Sequence, residues 1–254
     1  MAWTTQAQYT ARVPAAIIVS DAHLGRSVRP DAFVRFLRDV PDVADHLVIN
    51  GDLFDFWFEY GRVIPRRAFP VLSALHQLVL AGVQLTVTGG NHDRWGGTFW
   101  AEELGATFHR EQARVELAGW RCLIMHGDGL SETHPAARLM HAVTRWRVTA
   151  AAFRWLHPDL GLGMVDAMSG TLGQRTRDGA VLDRAAAAQA AWARDRLARA
   201  PDVDLLVMGH THRPALEAVG PRRWYLNPGA WCEGQAYALV TSEGPVLRTF
   251  VADA

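Results

Sequence analysis

Five short motifs hold the side chains of this sequence that can do chemistry: Asp21-Ala22-His23, Gly51-Asp52-Leu53-Phe54-Asp55, Gly90-Asn91-His92-Asp93, His126-Gly127-Asp128 and Gly209-His210-Thr211-His212. Carboxylate, carboxamide and imidazole donors of this kind suit Mn, Fe or Zn rather than a soft thiolate-bound ion. Asp21, His23, Asp52, Asn91, His126, His210 and His212 make seven donors. That is too many for one tetrahedral ion and enough for two ions if Asp52 bridges them. Two cations about 3.5–4 Å apart clamp a phosphoryl group and acidify a water between them, which gives a nucleophile at neutral pH. Taken singly, each motif is an ordinary turn or helix cap. Specificity comes from all five together, each beyond a buried strand. His46, His76, His109, His134, His141 and His157 fall outside the set and read as surface or packing histidines, with His134 opening a helical stretch.

The donors need rigid elements behind them. Ala15–Ser20, Leu47–Asn50 and Gln84–Thr88 are β-branched runs that read as buried strands. Helices are predicted between them, over Pro30–Val40 and over Arg66–Ala81 before Gly82. This alternation predicts an α/β sheet with its site at the carboxyl ends of the strands. Shorter strands follow at Thr107–His109, Arg114–Leu117 and Arg121–Met125, and again at Leu205–Met208, Ala215–Val219, Trp224–Asn227, Tyr237–Thr241 and Val246–Val251. Between them lie a helical insertion over residues 131–177 and a scaffold helix Asp183–Ala200, for which Asp183 is a candidate N-cap.

Composition narrows the classes. The 254 residues are 49% hydrophobic and 20% charged, which fits one globular domain over 1–254 with the insertion inside it. Net charge is zero, so nothing draws the chain as a whole to nucleic acid. All 26 basic residues are arginine. That excludes P-loop and Schiff-base lysines and favours planar two-oxygen clamps on phosphate. Two cysteines, Cys122 and Cys232, are too few for a disulfide framework. The N-terminus does not read as a signal peptide, and no apolar run reaches the 18 residues or so of a membrane span. A cytoplasmic protein with no nucleic-acid partner and no obligate protein partner is expected.

In this order the five motifs resemble the signature of the calcineurin-like metallophosphoesterase superfamily. The resemblance implies an αββα sandwich of two mixed sheets. It implies a first ion held by Asp21, His23, Asp52 and His212, and a second held by Asp52, Asn91, His126 and His210. His92 matches the family's catalytic histidine, and Asp93 would orient it. A narrower likeness is carried by Ser20-Asp21-Ala22-His23-Leu24-Gly25, by Gly51 through Tyr60, by Asn91-His92-Asp93-Arg94-Trp95, by His126-Gly127-Asp128-Gly129 and by Arg154-Trp155-Leu156-His157-Pro158-Asp159-Leu160-Gly161. These segments are similar to the UDP-2,3-diacylglucosamine diphosphatase family. That family cleaves a pyrophosphate to 2,3-diacylglucosamine 1-phosphate and UMP in lipid A synthesis, with metals that are usually manganese and a helical lid over the acyl chains. Its best-known members carry arginine where this chain has His92, which places the chain in a divergent Gly-Asn-His-Asp branch. The lid end Ser169–Arg175 lacks a basic Ser-Arg cluster, and Arg175 and Arg177 are its candidate substitutes.

The likeness and the local chemistry together nominate Arg94, Trp95, Glu59, Tyr60, Arg154, Phe153 and Arg175 as substrate contacts. Trp57, Phe58, Tyr60 and Trp95 are equally compatible with core packing. Leu139, Met140, Val143, Trp146, Val148, Phe153, Trp155 and Leu156 alternate with arginines 138, 145, 147 and 154. This is the composition of ordinary packed helices, or of a lid with an apolar inner face and a basic rim. The second reading carries peripheral contact with the anionic inner membrane as a corollary, because a diacylated substrate partitions there. Two other functions fit the motifs: a phosphodiesterase or phosphatase for a soluble nucleotide, and a non-catalytic metal-dependent scaffold.

Overall fold

Alternate residues of the first strand face two different cores, and that division defines the layers. In β1 (Ala15–Val19), Ala15, Ile17 and Val19 pack with Phe33, Phe36, Leu37, Val71, Leu72 and Leu75 from two helices. Ala16 and Ile18 point the other way, toward Ile124, Leu205, Val207 and Leu226 of a second sheet. The computed structural model describes residues 14–25, 28–130, 146–164 and 179–251.

The first half alternates as its patterning requires: β1, α1 (Asp31–Val43), β2 (His46–Asn50), α2 (Phe69–Leu80) and β3 (Gln84–Thr88). A single 3₁₀ turn at Arg66–Ala68 precedes α2, so the helix predicted from Arg66 begins as a tighter turn. Next come α3 (Phe99–Glu102), β4 (Thr107–His109), β5 (Gln112–Leu117), β6 (Trp120–Met125) and α4 (Arg147–Phe153). The rest is α5 (Gly179–Arg199), β7 (Leu205–Val207), β8 (Ala215–Gly220), β9 (Arg223–Asn227), α6 (Trp231–Gly234), β10 (Ala236–Thr241) and β11 (Gly244–Thr249).

Six strands form one mixed sheet in the order β11-β10-β1-β2-β3-β4, and five form the other in the order β5-β6-β7-β9-β8. Pairing is parallel at β1–β2, β2–β3 and β3–β4 and antiparallel at β1–β10 and β10–β11. Helices α1 and α2 cover the outer face of the first sheet. Helix α5 covers that of the second through Ala190, Ala193 and Leu197 against Leu123, Leu206, Met208 and Tyr225. The result is the layered sandwich expected from the sequence.

One local expectation changes, and part of another lies outside the described residues. Asp183 does not cap α5: the helix already runs from Gly179, because Gly-Ala-Val-Leu offers it no stop, and the Asp183 carboxylate instead accepts from Arg213 Nε at 2.7 Å. Of the insertion, residues 146–164 are described and include α4; the calls on 131–145 and 165–178, with His134, His141, Arg175 and Arg177, lie outside the described residues.

Candidate active site

The parallel strands β1, β2, β3, β6 and β7 end on one edge of the sandwich, and the five motifs follow those ends. Each chain must turn abruptly there. Gly51 makes the turn after β2 at φ +78, where a Cβ would lie 2.4 Å from His126 Nδ1. Among the described residues eight non-glycines have positive φ, and five of them are Asp21, His23, Asp52, His210 and His212, at φ +45 to +67. Such backbone costs of order 1–3 kcal/mol per residue and persists only where its surroundings over-determine it.

The turns bring the donors together around Asp52. Its Oδ2 lies 3.2 Å from His126 Nε2, 3.8 Å from His23 Nε2 and 4.0 Å from His92 Nε2. The Asp21 Oδ1 atom lies 3.4 Å from His212 Nε2 and 3.8 Å from His126 Nε2. Asp52 therefore belongs to two metal-sized groups at once, one with His23 and His92, the other with His126 and His210. His126 and His210 have ring centroids 5.2 Å apart, and His23 and His212 are 5.4 Å apart.

Ring tautomers are set from behind. His126 Nδ1 donates to the Asn50 carbonyl at 3.0 Å, and His212 Nδ1 lies 2.7 Å from Glu233 Oε1. Both turn Nε2 toward the carboxylates, the usual device for aiming an imidazole ligand. Asn91 Oδ1 is buried and lacks a hydrogen-bond partner, and the buried His126 Nε2 faces the carboxylates of Asp52 and Asp21. A buried acceptor without a donor is rare, and a bound cation would satisfy the Asn91 oxygen. The donor set fits two divalent ions.

Electrostatics match that arrangement. Burial pushes the Asp21 carboxyl up, but His126 and His212 outweigh it and hold it at about 2. The same contest, with His126 and His92, leaves Asp52 well below the carboxylate range. Burial depresses His126, yet Asp52 and Asp21 hold it well above the ordinary imidazole value. His212 stands at about 9, because Asp21 and Glu233 outweigh its burial. Burial dominates at His23, which falls to about 4, and it also lowers His210.

His92 stands at the open side of the cluster. Its backbone N–H donates to Asp52 Oδ1 at 2.9 Å and its Nδ1 to the Asp55 carbonyl at 2.6 Å. This corrects the expectation for Asp93. Its carboxylate accepts from Gly90 N at 2.6 Å and Leu53 N at 2.8 Å, tying the third motif to the second, while the Asp55 carbonyl is what orients His92. Burial, then the nearby Asp52, raises Asp93 to about 6.

The nominated substrate contacts divide. Glu59 is buried and its carboxylate accepts from the backbone N–H groups of Gly97 and Phe99, so it organises the chain before α3 instead of facing a ligand. Arg94 is buried in an ion pair with Asp128 and lines a cavity of about 240 Å³ with Gly89, Arg110, Gln112 and Met125. Trp57 and Phe58 are core residues. Tyr60 and Trp95 are half-buried and share an aromatic wall with Phe56 and Phe153. Phe153, at the end of α4, sits 4.7 Å from Phe58 and 5.5 Å from Trp95 between ring centroids. Arg154 is exposed beside it.

One donor escaped the sequence reading. Cys232 Sγ lies within 4.8 Å of donor atoms of His23 and His212, so the surroundings are not purely hard oxygen and imidazole. Only its place beyond Asn227 at the end of β9 signals this.

Residues 16–214 match the family described as calcineurin-like phosphoesterase. A UDP-2,3-diacylglucosamine hydrolase of Porphyromonas gingivalis is 29% identical over 257 residues, covering 91% of this chain and 95% of its own. Another, of Aeromonas salmonicida, is 33% identical over 238 residues, covering 90% of each. Among solved structures, vacuolar protein sorting 29 of Cryptosporidium parvum aligns with 92% of this chain and 89% of its own at 16% identity and a TM-score of 0.45.

Proposed function

The chain belongs to the calcineurin-like phosphoesterase family, a family of metal-dependent hydrolases, and from that premise we propose that it hydrolyses the pyrophosphate of UDP-2,3-diacylglucosamine to 2,3-diacylglucosamine 1-phosphate and UMP. The observation that carries the chemistry is the Asp52 carboxylate shared between two clusters of donors. The substrate rests on the two relatives of that name, which align over nine-tenths of the chain.

Asp21, His23, Asp52 and His212 would hold one divalent ion, and Asp52, Asn91, His126 and His210 the other, with manganese as the resident metal. Bound there, the pair supplies Lewis acidity and acidifies the attacking water. The protein does the rest. His92, fixed through Nδ1 by the Asp55 carbonyl, presents Nε2 at the open edge. There it stabilises charge on the phosphoryl oxygens or protonates the leaving oxygen. Water adds to the phosphorus nearer uridine, the P–O bond to the sugar phosphate breaks, and that phosphate leaves with the electron pair. Asp93 keeps the loops of Asp52 and Asn91 in register through its two backbone contacts.

The aromatic wall of Phe56, Tyr60, Trp95 and Phe153 is the candidate surface for the acyl chains. Trp146, Val148, Trp155, Leu160 and Met164 stand exposed on the same segment, Trp155 at 91%. An apolar face of this kind suits contact with the cytoplasmic leaflet, from which a diacylated substrate must be drawn. Among the described residues no helix is long and apolar enough to cross a membrane.

The test compares UMP release from the lipid substrate with turnover of a soluble aryl phosphodiester. Efficient cleavage of the lipid, with Phe153→Ala impairing it about tenfold more than it impairs the aryl ester, supports the assignment. Turnover of the aryl ester alone refutes it.

A further inference from the structure

The segment carrying His210 and His212 holds both residues on left-handed backbone, φ +67 and +56. What fixes it from behind is a side chain that belongs to none of the motifs. Gln189, on the buried face of α5, donates from Nε2 to the Gly209 carbonyl at 3.2 Å. Its Oε1 accepts from the Tyr225 hydroxyl at 3.0 Å, Asn227 Nδ2 at 3.2 Å and the Thr211 hydroxyl at 3.3 Å. Asn227 Nδ2 also reaches Gly209 O and Thr211 Oγ1, each at 3.1 Å. Gln189, Thr211, Tyr225 and Asn227 are all at most 1% exposed.

The same amide reaches a second loop. A Cβ at Gly127 would lie 2.3 Å from Gln189 Nε2, so the amide packs directly on the backbone between His126 and Asp128. One side chain thus braces the loops of His126 and His210 at once. A donor set aimed by its surroundings loses affinity when those surroundings are removed, and strained backbone relaxes when it is no longer over-determined.

We propose that Gln189 is a positioning residue for the metal centre: its amide fixes the spacing and aim of His126 and His210, and thereby the affinity for the cation they share. The inference rests on reading those two imidazoles as ligands. It makes α5 part of the active centre, although no atom of α5 is a candidate ligand.

The decisive experiment titrates Mn²⁺ into metal-depleted full-length protein by calorimetry, with visible spectra of the Co²⁺-loaded form as a geometric readout. Gln189→Met keeps the length and removes both polar groups. It is expected to weaken one of two Mn²⁺ sites about tenfold or more, to alter the Co²⁺ spectrum and to lower kcat with KM little changed. Arg194→Met, on the same helix, breaks only an exposed pair with Glu217; it is the control and is expected to leave Mn²⁺ affinity within about twofold. Should Gln189→Met not fold, Thr211→Val removes the hydroxyl contact on the segment itself and must weaken the same site. A Gln189→Met or Thr211→Val protein that loses only thermal stability, with Mn²⁺ affinity and Co²⁺ spectrum unchanged, overturns the inference. His210→Ala separates the two claims: if it still binds two Mn²⁺ with wild-type affinity, the ligand reading itself falls.

Discussion

Gly90 is the position at which the smallest substitution should do the most damage. Its backbone passes so close to the central carboxylate that a Cβ added there would lie 2.1 Å from Asp52 Oδ1, 2.8 Å from its Cγ and 2.7 Å from its backbone nitrogen. Ordinary van der Waals separations are roughly 3.5 Å, so the carboxylate or the loop must withdraw by about 1 Å or more. Neither can do so freely. Asp52 Oδ1 accepts from His92 N at 2.9 Å, and Gly90 N donates to Asp93 at 2.6 Å. Displacement of a reacting group by about 1 Å costs on the order of 100-fold in rate. Gly90→Ala is therefore expected to lower kcat for UMP release about 100-fold and to reduce the Mn²⁺ content of the purified protein. Gly61→Ala, with open space around its Cβ, is the control and should be neutral. A Gly90→Ala enzyme within about threefold of wild type, with full metal content, would refute the claim that Asp52 is held in place at the centre of the site.

Three further outcomes are expected. His92→Ala should lose about 10²–10⁴ in kcat while retaining both metals by elemental analysis, because each proposed ion keeps its four assigned donors without His92, whose Nδ1 is spent on a backbone carbonyl. Arg94→Met removes the buried cation paired with Asp128 and should cost about 3–5 kcal/mol in denaturant unfolding, whereas Arg94→Met/Asp128→Leu should recover much of it. In the metal-free protein His126 and His212 are held protonated near neutrality by their carboxylates, so each must lose a proton before it can ligate. Metal loading at pH 7.5 should then release roughly two protons per chain in calorimetry across buffers, and affinity should fall as the pH is lowered.

The donors were legible because their chemistry is written in residue type and their position in strand endings. A β-branched run closed by Gly-Asp or Gly-His announces both. The aromatic wall was not legible in the same way. Trp57 and Trp95 look alike in sequence, yet one is wholly buried and the other opens toward Phe153. Hydrophobicity alone does not separate a core from a pocket. Asp93 misled for a geometric reason: it adjoins His92 in sequence, but its carboxylate is drawn to the free N–H groups of Gly90 and Leu53. Gln189 gave no signal at all. It is a polar residue in an alanine-rich helix, and only the distant Gly209, Tyr225 and Asn227 reveal why it is buried.

The bond from His210 N to Asp21 Oδ2 spans 189 positions of the chain. On a ribosome the first donors emerge long before the last, and a nascent chain that has just passed β6 has Asp21, His23, Asp52, Asn91 and His126 without either of the final two histidines. The donor set is thus complete only once residue 212 has been made, and the first sheet closes later still, when β10 pairs with β1 and β11 with β10.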